Sequence, residues 1–334
     1  MLNVERHDII MKFWVVGFNK MHEVMWKDIE KLENAHYVQN IYTTNNKLLH
    51  FIRNKMLSPK INKGIIKRIN KIWYKFYTLQ NLCYDDKMNF ILLTDGRPDF
   101  YQEGYLKDLK EKYPIKFVLV YLNSYYTSTE AVLKYKDICD YVFTYDKDDA
   151  EKYGFIYFPG IYSQIVLPNC SSNIIENDVL YVGSENGRLD TLLQCYERFT
   201  NGGLKAYFRI TRVEKERQKY ADEIIYNKEI SYEEVLKEVN GCNCILEVLN
   251  SKRKGTTLRA FEAVVFKKKL ITNNENIVNM QFYNPQYMKV FKKVEDIDLE
   301  FIREREAVNY SYNNEYSPLR IIERICEAEA AEIE

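Results

Sequence analysis

No stretch of the 334-residue chain is apolar for long enough to cross a bilayer. Nor is there a secretory leader pattern, since the apolar run at 13–18 is short and lacks a cleavage site. Cysteine is sparse and unordered. The seven residues Cys83, Cys139, Cys170, Cys195, Cys242, Cys244 and Cys326 form neither a metal knuckle nor a disulfide framework. Cys242 and Cys244 enclose a single residue, with no second pair or histidine nearby, so the pattern reads as reduced thiols of a cytoplasmic protein. Net charge is also absent: 48 Lys and Arg balance 48 Asp and Glu, which argues against a general nucleic-acid binder. Histidine is confined to His7, His22, His36 and His50, and no acid lies between Glu33 and Asp85.

What is present is a length suited to two domains and, at 46% hydrophobic and 29% charged residues, the composition of a soluble globular protein. Apolar runs alternate with amphipathic stretches. The runs at 12–18, 90–96, 116–123 and 141–146 read as buried strands ending in polar or turn residues, which predicts a parallel sheet covered on both faces. Turn chemistry without periodicity over Pro159 to Asn177 predicts a linker. The alternation then restarts at 178–184, 206–210, 223–226, 244–248 and 269–272. The expectation is an α/β chain of two similar domains in tandem.

Lys254-Gly255-Thr256-Thr257-Leu258-Arg259-Ala260-Phe261-Glu262-Ala263 reads as a glycine- and hydroxyl-rich turn opening a helix. Unpaired N–H groups and partial positive charge at a helix N-terminus suit a phosphate. Arg259 and Glu262, three apart on one face, are spaced to meet a phosphate and a sugar hydroxyl. The plain alternative is an ordinary N-cap followed by a surface ion pair.

The order Gly183-Ser184-x-Asn186-Gly187-Arg188, then Ile230-Ser231-Tyr232-Glu233-Glu234-Val235, then Gly255-Thr256-Thr257-Leu258-Arg259-x-x-Glu262-Ala263 and Lys269-Leu270-Ile271-Thr272 resembles the C-terminal half of GT-B glycosyltransferases. It is most similar to bacterial enzymes of lipopolysaccharide or capsular polysaccharide assembly, over residues 90–290 and most strongly after Asp178. The resemblance implies two Rossmann-like domains with parallel sheets and an interdomain cleft. It divides the chain into an acceptor-side domain at 1–165, a donor-binding domain at 178–310, and a C-terminal helix at 316–334 packing back across the domains. It further implies a nucleotide-sugar donor and a glycan or lipid-linked acceptor. Glu262 matches the carboxylate that meets the donor ribose. Gly255, Thr256 and Thr257 match the turn facing the diphosphate, Gly183 and Ser184 match the loop after the domain's first strand, and Arg188 and Arg259 are the cations placed near phosphate. One departure stands out, because the first carboxylate of the usual Glu-x7-Glu pair falls at Lys254.

A helix N-terminus with arginines can stabilise a departing nucleoside diphosphate without a divalent cation, so neither cofactor nor metal is expected. Asp146-Lys147-Asp148 is similar to an Asp-x-Asp metal motif but leads into a helix, where first-turn acids act as caps. The acceptor's proton needs a base from the first domain. His22 follows the first strand and its Gly17 turn, and Asp95 ends a strand. The corresponding plain readings are a solvent-facing helix residue for His22 and a turn cap for Asp95.

Over residues 47–77 nine cations alternate with Ile61, Ile65, Ile66, Ile69, Ile72, Trp73, Phe76 and Tyr77. A basic amphipathic helix of this kind lies on an anionic membrane, or else packs on the core with a solvated basic side. The first alternative would put the protein at the inner face of the plasma membrane. Two further readings stay open: a catalytically silent nucleotide-sugar-binding protein, and a GT-B-like nucleotide-sugar epimerase.

Overall fold

The structure is a computed structural model and describes residues 11–17, 19–58, 60–61, 69–84, 87–94, 101–121, 135, 137–165, 175–250 and 255–333. The chain divides into two compact units, Met1–Ser163 with Tyr316–Glu334, and Gln164–Glu315. The division falls inside the expected linker, of which residues 166–174 lie outside the described ones.

The first unit holds strands β1 (Met11–Val16), β2 (Ala35–Val38), β3 (Met88–Thr94), β4 (Ile115–Tyr121), β5 (Tyr141–Thr144) and β6 (Ile156–Tyr157). They form one parallel sheet in the order β2-β1-β3-β4-β5-β6. Central strands carry apolar residues on both faces, as a parallel sheet covered on both sides requires: Phe13, Val15 and Val16 in β1 and Phe90 to Leu93 in β3 are wholly buried. Its described helices before the second unit are α1 (Lys20–Met25), α2 (Lys47–Met56), α3 (Glu103–Lys112) and α4 (Lys147–Tyr153).

The second unit repeats the plan with β7 (Asn177–Ser184), β8 (Ala206–Thr211), β9 (Ile225–Tyr226), β10 (Cys242–Glu247), β11 (Lys269–Thr272) and β12 (Met288–Val290). Its parallel sheet runs β12-β11-β10-β7-β8-β9. Counted from β7, this is the doubly wound 3-2-1-4-5-6 order, whose direction reverses between β7 and β10. Helices α5 (Leu189–Asn201), α6 (Tyr232–Asn240), α7 (Leu258–Val265) and α8 (Leu299–Arg303) belong here. Ser231 and Glu234 close a capping box at the start of α6. The expected class, α/β with two tandem Rossmann-like units and parallel sheets, is therefore observed.

Three strands were not anticipated: β2, β6 and β12. Each is the edge of its sheet and spans two to four residues. A short edge strand buries too few side chains to leave an apolar run in the sequence.

The last helix, α9 (Leu319–Ile333), belongs to the first unit. Glu329 accepts from Lys116 Nζ at 2.6 Å and from the Tyr141 hydroxyl, and Arg324 donates to the Tyr157 carbonyl at 2.8 Å. Just before it, Ser317 Oγ donates to the buried Asp28 carboxylate at 2.7 Å.

The basic segment corrects an expectation. It is not one helix with its apolar side on the core: α2 ends at Met56, ahead of Pro59 in sequence, and a separate 3-10 turn covers Asn70–Phe76. Residues 62–68 lie outside the described ones. Arg53 of α2 points inward, its guanidinium 4.5 Å from the Tyr42 ring centre and donating to the Tyr77 hydroxyl at 3.2 Å. That cation–aromatic seat reverses the helix, because the face opposite Arg53 carries Leu48, Phe51 and Ile52 and these are exposed.

Candidate functional site

In the second unit the N-terminus of α7 is joined to the two strands on either side of the switch point. Thr257 is the N-cap, its Oγ1 accepting from the Arg259 N–H at 3.2 Å. The same hydroxyl donates to Oε1 of Glu247, the last residue of β10. Glu247 is completely buried, and its Oε2 accepts from Thr272 Oγ1 at 2.5 Å, at the end of β11. Arg259 extends from the first turn to donate to the Val182 carbonyl near the end of β7, with its guanidinium 5.0 Å from the Tyr181 ring centre.

A Cβ at Gly183 would meet Arg259 Nη2, so a side chain there would have to displace the guanidinium. Gly183 and Ser184 complete β7 rather than following it, and Ser184 Oγ accepts from Thr211 Oγ1 at 3.3 Å. Gly255 and Thr256 lead into the cap and are half-buried. Lys254 lies outside the described residues.

Glu262, one turn further along α7, is buried, and its Oε1 accepts from the Tyr232 hydroxyl of α6 at 2.7 Å. Burial holds its carboxyl above the usual carboxylate range, opposed by the Tyr232 bond and the charge of Arg259 and reinforced by Glu247. Two acids thus sit near the start of one helix, and Glu247 was missed in the sequence because it reads as the tail of a strand.

Arg188 is buried. Its Nη1 donates to the Val248 carbonyl at 2.5 Å and its Nη2 to the Ser184 carbonyl at 3.0 Å, so it braces the turn after β7 against the end of β10. Both arginines thus rest on backbone carbonyls. Beside Arg188 opens a cavity of about 470 Å³ lined by Arg188, Leu249, Asn250, Asn273, Asn274 and Asn276. Asn273 bridges the loops after β10 and β11, accepting from the Leu249 N–H at 2.6 Å and donating to its carbonyl at 3.1 Å.

In the first unit His22 is buried in α1, not solvent-facing. Thr94 Oγ1, at the end of β3, donates to the Val16 carbonyl at 3.0 Å and lies 3.3 Å from His22 Nδ1. With that hydroxyl hydrogen spent on Val16, Thr94 Oγ1 is left to accept from His22 Nδ1. The imidazole therefore stands at the ends of β1 and β3, this sheet's own switch point. Asp95 lies outside the described residues.

Asp146 caps α4, accepting from the Asp148 N–H at 2.9 Å and the Asp149 N–H at 3.3 Å. Among the described residues no group of three or more His, Cys, Asp or Glu is placed to hold a metal ion. Burial pushes the thiols of Cys139, Cys195 and Cys242 up to about 12, which removes them as nucleophiles at neutral pH.

No protein-family model and no curated protein matches the chain. Among solved structures, a UDP-N-acetylglucosamine 2-epimerase aligns over 97% of this chain and 98% of its own, at 11% identity and a TM-score of 0.47. A UDP-forming trehalose-phosphate synthase from Burkholderia xenovorans aligns over 87% and 89%, at 10% identity and 0.45. The glycotransferase of kitacinnamycin aligns over 88% of each chain, at 8% identity and 0.42. At these identities and TM-scores the likeness assigns no reaction.

Proposed function

We propose that the chain is a metal-independent glycosyltransferase of the GT-B kind, moving a sugar from a nucleotide-sugar donor to a cell-surface glycan or lipid-linked acceptor. The observation that carries this reading is the tethering of α7's N-terminus to β7 through Arg259 and to β10 through Thr257, at the switch point of a 3-2-1-4-5-6 sheet. A diphosphate there takes the helix's positive end and the N–H groups around Gly255, Thr256 and Thr257. Glu262 accepts from ribose hydroxyls, Gly183 and Ser184 border the phosphates, and Arg188 and Arg259 supply positive charge. The same groups offset the charge that develops as the nucleoside diphosphate leaves. His22 takes the acceptor proton.

A thermal-shift screen against UDP, GDP, CMP, ADP and dTDP, with and without magnesium, tests the donor site. One nucleotide should raise the melting temperature regardless of magnesium, and Glu262→Ala should weaken its binding by about 1.5–3 kcal/mol. No shift with any of the five would overturn the reading.

A second reading, a silent nucleotide-sugar-binding protein, is favoured by the engagement of both Arg188 and Arg259 with backbone carbonyls. Donor hydrolysis separates the two. Slow release of free sugar without acceptor supports the transferase, and tight nucleotide binding without turnover supports the silent module.

A further inference from the structure

We propose that α2 and the 3-10 turn Asn70–Phe76 form a face of the first unit that docks on an anionic lipid bilayer. In both elements a polar side chain is buried while large apolar ones face out among exposed lysines. In α2, Leu48, Phe51 and Ile52 share one ridge at i, i+3 and i+4 spacing and are 65%, 64% and 39% exposed, while Arg53 is buried. In and just before the turn, Ile69 and Ile72 stack three apart on the outer side, each 52% exposed, while Asn70 and Trp73 are buried. Asn70 Nδ2 donates to the Met56 carbonyl at 3.3 Å, joining the end of α2 to the turn.

Only two other large hydrophobic side chains among the described residues are as exposed, Tyr220 and Val278, and both lie in the second unit. Among the described residues of the first unit, large exposed apolar side chains therefore fall in this one stretch, which is the distribution of a docking surface and not of scattered surface residues.

Charge selects the occupant. Lys47, Lys55, Lys60, Lys71 and Lys75 are exposed in the same stretch, and the sequence holds no acid from Asn34 to Tyr84. Asp108 lies 3.1 Å from Lys71 Nζ. A protein partner or a second copy would bury five apolar side chains against a surface that must also neutralise these exposed lysines. An anionic leaflet meets both demands, with apolar side chains entering the acyl boundary and ammonium groups staying among the headgroups. No described helix is long and apolar enough to span a membrane, so the contact lies on the surface.

Co-sedimentation of the full chain with phosphatidylglycerol–phosphatidylcholine vesicles, against phosphatidylcholine alone, tests this. Binding should require the anionic lipid and weaken with salt. Each of Lys47→Gln and Lys55→Gln should lower partitioning about fivefold. Leu48→Ser with Phe51→Ser should lower it more than tenfold with an unchanged melting temperature, because both side chains are exposed. Equal binding to both vesicle types, no binding, or an unaffected double variant would overturn the proposal. So would a homodimer that the double variant dissolves, since it would identify the face as a self-contact.

Discussion

The hydroxyl of Thr257 caps α7 and holds the buried carboxylate of Glu247, so one side chain secures both the helix N-terminus and the end of β10. Thr257→Val keeps the shape and removes both bonds. Its expected cost is about 2–4 kcal/mol, a lost cap together with a buried carboxylate oxygen stripped of a donor. Thr257→Ser should recover most of it. Urea denaturation of the three proteins measures the difference, and a Val variant as stable as the parent would show that the hydroxyl is dispensable.

Glu262 makes stability depend on pH in a predictable direction. Its folded carboxyl titrates above the usual carboxylate range, chiefly because it is buried. Between the unfolded and folded values the native state holds the extra proton, so the group's contribution is fully present below the unfolded value and is lost as pH rises through the folded one. Glu262→Gln retains an acceptor for Tyr232 and cannot ionise. The melting temperature of the variant should therefore gain on the parent as pH rises out of the acid range, and a pH-independent difference would contradict the assignment.

Gly183 and Arg259 should be coupled. An added Cβ at Gly183 collides with Arg259 Nη2, so Gly183→Ala should cost about 1–3 kcal/mol as the guanidinium is driven from Val182. In Arg259→Ala the obstacle is gone, and the same glycine change should cost less. A double-mutant cycle with a coupling of at least about 0.5 kcal/mol would bear this out, and strict additivity would not.

Ser317→Ala removes one donor from Asp28, which is 2% exposed and keeps Lys31 Nζ at 2.6 Å. The expected loss is about 1–3 kcal/mol, read from chemical denaturation.

The central strands of both sheets were legible because a strand covered on two faces must be apolar at nearly every position, as Phe90 to Leu93 are. Edge strands such as Met288–Val290 were not, since few of their side chains are buried. The Gly-Thr-Thr turn and Glu262 could be placed on α7 because caps have local chemistry. Glu247, Tyr232, the Val248 carbonyl met by Arg188 and the Val182 carbonyl met by Arg259 depend on contacts between residues 10 to 77 positions apart, which no local pattern encodes. The segment at 47–77 shows the same limit. Periodicity suggested one amphipathic helix where the structure has α2 and a separate 3-10 turn, and the inward side of α2 is set by Tyr42 and Tyr77, two aromatic rings that seat Arg53.

The bond between Asp28 and Ser317 spans 289 positions. As the chain leaves the ribosome, Gln164–Glu315 emerges as one uninterrupted stretch, whereas the first unit must wait for α9 until that whole stretch has been made. The order of synthesis is thus the reverse of the order of completion: the unit translated second can finish first, and the first unit is complete only once α9 has been made.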